Sequence, residues 1–432
     1  MTADMGQGPL ANRTLGQLEK LEQNLSARFH QIQAAGLKLD LTRGKPCTEQ
    51  VALSNEMDGI LAGNFTTESG QDIRNYGGLS GIPEAKTLGG ELMSLPTGNV
   101  MAGGNSSLSL MFQTMQFALQ KGLWGSGSSW QDDGQAVKFL CPVPGYDRHF
   151  SICESLGIEM INVPLIDTGP DMDKVEKLVN SDPGIKGIWC VPKFSNPTGC
   201  TYSDTTVERL ANLPGLAGAN FLVIWDNAYA VHSVLEDEPL ANIFDLAAKA
   251  GTLQNLLVFA STSKITFAGS GVGFMGTDSA VLKNFLNHLQ YQTIGYDKLN
   301  QLRHARFLKD NLKAHMHKHA DVIRPKFLAV QEALENGLSE DDIARWTRPN
   351  GGYFISLDVP AGLAEKVVRM AAEAGVILTP AGATYPYGKD PEDRNIRIAP
   401  TFPMLEEVES AMDILILCTR LASVQQLILG KS

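Results

Sequence analysis

The sequence predicts an α/β protein: a mostly parallel sheet flanked by helices, with a smaller α+β unit drawn from both ends of the chain. Two observations carry this. Between about residue 100 and residue 280, short apolar runs alternate with helical patterns: Val137 to Cys141, Met160 to Leu165, Gly187 to Val191, Phe221 to Trp225, Leu256 to Ala260 and Val272 to Met275. Strands separated by helices imply right-handed crossovers and a buried, mostly parallel sheet. After Pro349-Asn350-Gly351-Gly352 the pattern changes to strand, helix, short strands and a last helix, which is α+β in character.

In chain order, Leu15, Leu18, Leu21, Leu25, Phe29 and Ile32 recur at three- and four-residue spacing, one face of a helix from Thr14 to Ala35 that Gly36 ends. Leu37 to Leu41 alternates as a strand does, and Arg43-Gly44-Lys45-Pro46 is a turn. Residues 279–335 are nearly free of Gly and Pro and read as helical. The tail predicts a strand from Tyr353 to Val359, a helix from Leu363 to Ala374, strands at Val376 to Thr379 and Ile396 to Ala399, and a helix from Leu405 to Leu421. The expected division is an arm and part of the smaller unit in 1–50, the sheet unit in 51–320, and the rest of the smaller unit in 321–432.

A net charge of -11 argues against a surface built to neutralise nucleic-acid phosphates or anionic lipid, which needs clustered Lys and Arg. Met1 to Leu10 has no basic start followed by an apolar core, and no run of 18 uncharged apolar residues follows, so neither a signal peptide nor a membrane span is expected. Six scattered cysteines without a Cys-x-x-Cys pair fit buried thiols in a reducing, cytoplasmic setting, with no metal site.

The chemistry begins at Ser261-Thr262-Ser263-Lys264, directly after the strand Leu256 to Ala260. A lysine at the carboxyl end of a parallel strand points to the crevice where open α/β sheets bind ligands. By itself such a lysine is more often a solvated charge, so its companions decide. Asp226 ends another apolar strand, where a carboxylate needs either a helix to cap or a buried partner such as a protonated ring nitrogen. Tyr229 lies three residues on. Ser195-Asn196-Pro197-Thr198-Gly199 and Pro144-Gly145-Tyr146 are turns at the ends of two more strands. Gly103-Gly104-Asn105-Ser106-Ser107 precedes an apolar helical run and resembles a phosphate cradle at a helix N-terminus.

This order of lysine, carboxylate, amide, aromatic and cradle resembles the fold-type I pyridoxal 5'-phosphate (PLP) enzymes, especially a divergent subgroup of the class I aspartate aminotransferases, over nearly the whole chain. The resemblance implies a seven-stranded-type sheet. It also implies Lys264 as the Schiff-base lysine and proton shuttle, Asp226 as partner of the pyridine nitrogen, Asn196 and Tyr229 as donors to the ring's phenolic oxygen, and Tyr146 stacked on the ring. Gly104, Asn105 and Ser106 match the phosphate loop, with Ser261 and Ser263 flanking it. Tyr76, in Arg74-Asn75-Tyr76-Gly77-Gly78, matches a tyrosine that reaches a phosphate across a homodimer interface. Arg397, in Asn395-Ile396-Arg397-Ile398-Ala399, matches the arginine that grips the substrate α-carboxylate, and Gly44 the arm glycine facing it.

The family's arginine about eight residues after the lysine is missing: the run is Ala268-Gly269-Ser270-Gly271-Val272-Gly273. His315-x-His317-x-His319 reads as a solvated helix surface rather than a metal site. The implied reaction is amino transfer between L-aspartate and 2-oxoglutarate, the partners being a small amino acid and a 2-oxo acid. Arg43, Lys45, Lys193 and Lys298 are open candidates for the distal carboxylate. The rival readings are alanine or aromatic amino-acid transfer, a PLP-dependent β-eliminating lyase, and a PLP-binding sensor module, the last expected to need a DNA-binding domain ahead of residue 37.

Overall fold

The structure, a computed structural model, describes residues 9–431. The segment read as lacking a signal peptide therefore lies almost wholly outside the described residues.

The sequence's long apolar runs become the inner strands of an eight-stranded sheet. Its order is Val100–Ala102, Gly273–Thr277, Leu256–Ser261, Leu222–Asp226, Ile185–Cys190, Lys138–Val143, Glu159–Ile166, Gly169–Pro170. From Leu256–Ser261 across to Glu159–Ile166 every pairing is parallel. Every residue of Ile185–Cys190 and Leu222–Asp226 is buried, because helices cover both faces, and so these strands show no alternation. The eighth strand, beyond the seven expected, is the two-residue return Gly169–Pro170 at the edge, where a proline costs no ladder bond.

One strand differs from the expectation. Gly273–Thr277 runs antiparallel to both neighbours. The segment joining it to Ser261 holds only the short turn Ala268–Ser270, and a parallel return needs a crossover of about a dozen residues or more, as a rule helical. That same short connection carries Lys264.

Leu15–Ala35 is a helix with a capping box at Thr14 and Gly36 in the left-handed region (φ 64°), as its sequence predicts. Its Leu18, Leu25 and Phe29 share a core with Phe327, Val330 and Leu334 and with Val408, Met412 and Leu415. Leu39–Asp40 pairs in parallel with Val376–Ile377, and Arg345–Trp346, Ile355–Asp358 and Asn395–Ile398 form an antiparallel sheet. The beginning of the described chain is thus built into the same core as its end.

The helix Leu405–Lys431 is long and apolar enough to cross a membrane by length and composition, which the sequence reading missed because polar residues interrupt it. Many of its apolar residues, among them Ile414, Leu417, Cys418 and Leu421, are buried in the shared core, where it packs on Leu15–Ala35 and Leu312–Leu338, while Leu429 near its end is exposed.

The histidine run is corrected too. His315 and His319, four residues apart in Leu312–Leu338, share a face and are buried. His315 Nε2 lies 2.7 Å from the Ile265 carbonyl and 3.1 Å from His319 Nε2, and His319 Nδ1 lies 3.1 Å from Gln50 Nε2. Burial lowers the His319 pKa to about 4, so the ring is neutral near pH 7.

Candidate active site

Four parallel strands deliver their following turns to one edge of the sheet: Leu256–Ser261 leads to Lys264, Leu222–Asp226 ends on its own carboxylate, Ile185–Cys190 leads to Asn196, and Lys138–Val143 leads to Tyr146. This is the edge at which open α/β sheets bind ligands.

Asp226 is 2% exposed. Its Oδ2 lies 3.0 Å from Nε2 of His149, whose ring stacks on Trp189 with centroids 4.2 Å apart and planes within 8°. Its Oδ1 is buried and has no hydrogen-bond partner. A carboxylate oxygen in that position is costly unless a donor arrives. Tyr146 packs edge-on against His149 at 4.9 Å and caps the helix Asp147–Ser155 that carries it. The sequence reading missed His149 and Trp189. The one local signal was the i, i+3 spacing of Tyr146 and His149.

Lys264 is half-buried, with Nζ 4.9 Å from the centre of the Tyr229 ring. Desolvation lowers its pKa, partly offset by the Asp226 charge. Its carbonyl receives the Tyr353 hydroxyl and His232 Nε2, each at 3.3 Å. A carbonyl only accepts, so His232 carries its proton on Nε2, and burial lowers that ring's pKa to about 3. Burial also raises the pKa of the Tyr229 phenol, with Tyr146 and Asp226 adding to it, and raises that of Tyr146. Both phenols stay protonated.

The Gly103 to Ser107 turn lies against the lysine turn. Gly273 N donates to Gly104 O at 2.7 Å and Gly103 N to Gly273 O at 2.8 Å. Ser106 caps the helix Ser107–Gln120 by accepting from Leu108 N. Ser263 Oγ lies 3.4 Å from Asn105 O, and Asn105 Nδ2 3.4 Å from Gly269 O. A Cβ on Gly273 would stand 2.7 Å from the Ser106 carbonyl carbon, and one on Gly271 3.0 Å from Ser263 N, so this packing leaves little room for side chains. The cradle residues Gly104, Asn105 and Ser106 and the flanking Ser261 and Ser263 are therefore brought together.

Arg397 and Asn196 also meet. The guanidinium, 8% exposed, donates from Nη1 to Asn196 Oδ1 at 3.3 Å and to Asp147 Oδ1 at 3.1 Å, and from Nε and Nη2 to Thr379 Oγ1 at 3.3 and 3.2 Å. Its carbon stands 5.0 Å from the centre of the Phe354 ring. A Cβ on Gly44 would come within 2.3 Å of that ring, so the arm turn reaches the platform only because residue 44 has no side chain.

Tyr76 is not joined to this cluster. It is 85% exposed, in a loop whose Asn75 and Gly77 carbonyls are held by Lys298 Nζ at 2.5 and 2.8 Å. Lys193 is likewise engaged, with Asp237 at 2.8 Å. Lys45 is exposed with Nζ 3.7 Å from the centre of the Phe402 ring, and Arg43 is exposed on the same turn.

Residues 14–431 match the family described as aspartate amino-transferase. A protein of Mycolicibacterium smegmatis is 50% identical over 93% of this chain and 94% of its own length. An aspartate aminotransferase of Corynebacterium glutamicum is 44% identical, over 93% of this chain and 94% of its own. The crystal structure of an aspartate transaminase from Corynebacterium glutamicum superposes with a TM-score of 0.93 at 42% identity, covering 98% of this chain and all of that one.

Proposed function

The chain belongs to the aspartate amino-transferase family and is an aminotransferase, and from that premise we propose that it exchanges an amino group between L-aspartate and 2-oxoglutarate, giving oxaloacetate and L-glutamate, with PLP as cofactor. The observation that carries the cofactor is the partnerless buried Oδ1 of Asp226, a carboxylate close enough for its charge to act on Lys264 and Tyr229, which themselves lie against each other. The relative named for aspartate supports the substrate.

When bound, PLP supplies an electron sink for the pair left on the substrate's Cα. Asp226 Oδ1 would accept a hydrogen bond from a protonated ring nitrogen and so favour the positive charge there. His149, fixed on Trp189, orients the carboxylate. Lys264 would hold the cofactor through Nζ and would serve as the base for the proton on the substrate's Cα. Its lowered pKa enlarges the neutral, proton-accepting fraction at a given pH. Tyr229 and Asn196 would donate to the cofactor's phenolic oxygen, and Tyr146 would pack against its ring. Gly104, Asn105, Ser106, Ser261 and Ser263 would hold the phosphate through backbone N–H groups and hydroxyls.

Arg397 takes the α-carboxylate in a planar fork, with Gly44 beside it. For the distal carboxylate, Lys193 and Lys298 are already engaged, which leaves Arg43 and Lys45 on the turn that seats Gly44 against Phe354. Tyr76 serves the neighbouring site of a homodimer, a reading supported by the exposure of Tyr76 (85%), Tyr291 (85%) and Ile294 (63%). The six free cysteines support a reducing, cytoplasmic location.

The test is the absorbance spectrum of the purified holoprotein before and after addition of aspartate. The expected result is loss of the bound-cofactor band with oxaloacetate released in equal amount, and retention of neither band nor covalent label after borohydride treatment of Lys264→Ala. Faster conversion by alanine or phenylalanine than by aspartate rejects the substrate assignment.

A further inference from the structure

Arg397 is held by a carboxylate of the protein itself. Nη1 faces Asp147 Oδ1 at 3.1 Å and Asn196 Oδ1 at 3.3 Å, and Thr379 takes Nε and Nη2. Nη1 has two hydrogens, and both have acceptors. A substrate carboxylate that docks on the Nη1/Nη2 edge meets Asp147 directly. One that docks on the Nε/Nη2 edge displaces only the neutral Thr379 hydroxyl, yet brings a second anion within a few ångströms of Asp147, where like charges repel.

The two partners are unequal. Arg397 has a side chain 8% exposed, while that of Asp147 is 33% exposed. Asp147 is also the first residue of the helix Asp147–Ser155, and the positive end of that helix continues to favour its charge after it turns to solvent. Removing Asp147 from the guanidinium is therefore easy, whereas leaving Arg397 unpaired is not. The pair also joins distant parts of the chain, 250 positions apart: the turn after Lys138–Val143 in the large sheet, and the strand Asn395–Ile398 in the antiparallel sheet.

We propose that Asp147 is an internal competitor for the substrate-carboxylate position on Arg397. It holds the arginine in the ligand-free protein and must give way when an amino acid or 2-oxo acid binds. A simple monocarboxylate offers only one charge in exchange for another and gains little. A substrate with a second carboxylate or an amine makes further contacts that offset the displacement of Asp147, whereas the cost of that displacement is common to every anion that takes the arginine. This rests on the reading of Arg397 as the α-carboxylate group.

The experiment is calorimetric titration of the holoprotein, as wild type, Asp147→Asn and Asp147→Ala, with acetate and with succinate, alongside steady-state kinetics with aspartate. Both variants are expected to bind both probes about fivefold to tenfold more tightly, and to show a KM for aspartate lowered by a similar factor with kcat within about twofold. The asparagine variant keeps the side chain's size, so agreement between the variants assigns the effect to charge. Unchanged or weaker binding in Asp147→Asn overturns the proposal, since a residue that merely positions Arg397 raises the KM when altered. If no form binds succinate while wild type still transaminates aspartate, the placement of the carboxylate on Arg397 is wrong and the inference falls with it. If wild type binds succinate and neither variant gains, the inference alone fails.

Discussion

At the Asp226 end of the cleft the polar work falls to one side chain, whereas at the Gly103-Gly104 end it falls to backbone and hydroxyl groups. Asp226 is a fixed charge, held by His149 on Trp189 and left with one unpaired oxygen. At the opposite end the turn after Lys264 carries no arginine, and Gly271 and Gly273 are pressed so closely against Ser263 and Ser106 that added Cβ atoms crowd the backbone. One end depends on which side chain is present, and the other on side chains being absent.

This contrast can be broken most directly at Asp226. Asp226→Ala is expected to lower kcat for amino transfer about a hundredfold to a thousandfold, because the charge facing the ring nitrogen is lost from a dry site. Single-turnover rates measure this, and a loss below about tenfold would mean that the end is not governed by one side chain. At the other end, Gly273→Ala is expected to weaken PLP about tenfold and lower stability by about 1–3 kcal/mol, since the new methyl meets Ser106 and Ser107 backbone rather than a yielding side chain. Equilibrium dialysis and thermal denaturation report the two effects. The smallest change is Ser270→Arg, which adds a cation beside the cradle without occupying the crowded Gly271 position. PLP should tighten by less than about tenfold in the same dialysis assay, and a larger gain would show that the backbone cradle is short of charge.

The same contrast explains what the sequence made legible. Strands buried on both faces are unbroken apolar runs, so the sheet and the residues at its carboxyl edge, Lys264, Asp226 and Asn196, stand out locally. Tertiary partners do not. His149 finds Asp226 across 77 positions and Asp147 finds Arg397 across 250, and nothing in Tyr146-Asp147-Arg148-His149 announces either pairing. The antiparallel course of Gly273–Thr277 was hidden because strand direction is set by the connection, and a short connection was read as one more crossover. His315 and His319 were misread because attention to the alternating spacing obscured their i, i+4 relation, which places both on one buried face. The crowding at Gly44 and Gly273 is likewise a property of two packed segments rather than of either alone.

The core shared by Leu15–Ala35 and Leu405–Lys431 has a consequence for the order of events on the ribosome. The strands of the large sheet lie between Val100 and Thr277, so that sheet can assemble while the chain is still being made. The first helix, whose Leu18, Leu25 and Phe29 share a core with Phe327, Val330 and Leu334 and with Val408, Met412 and Leu415, has that core completed only when the last stretch is synthesised. Part of its apolar face stays uncovered until then, a period in which aggregation competes with folding. Arg397 and Gly44 come together only in that final step, so the site that recognises the substrate carboxylate is completed after the strands that carry Lys264 and Asp226 are in place.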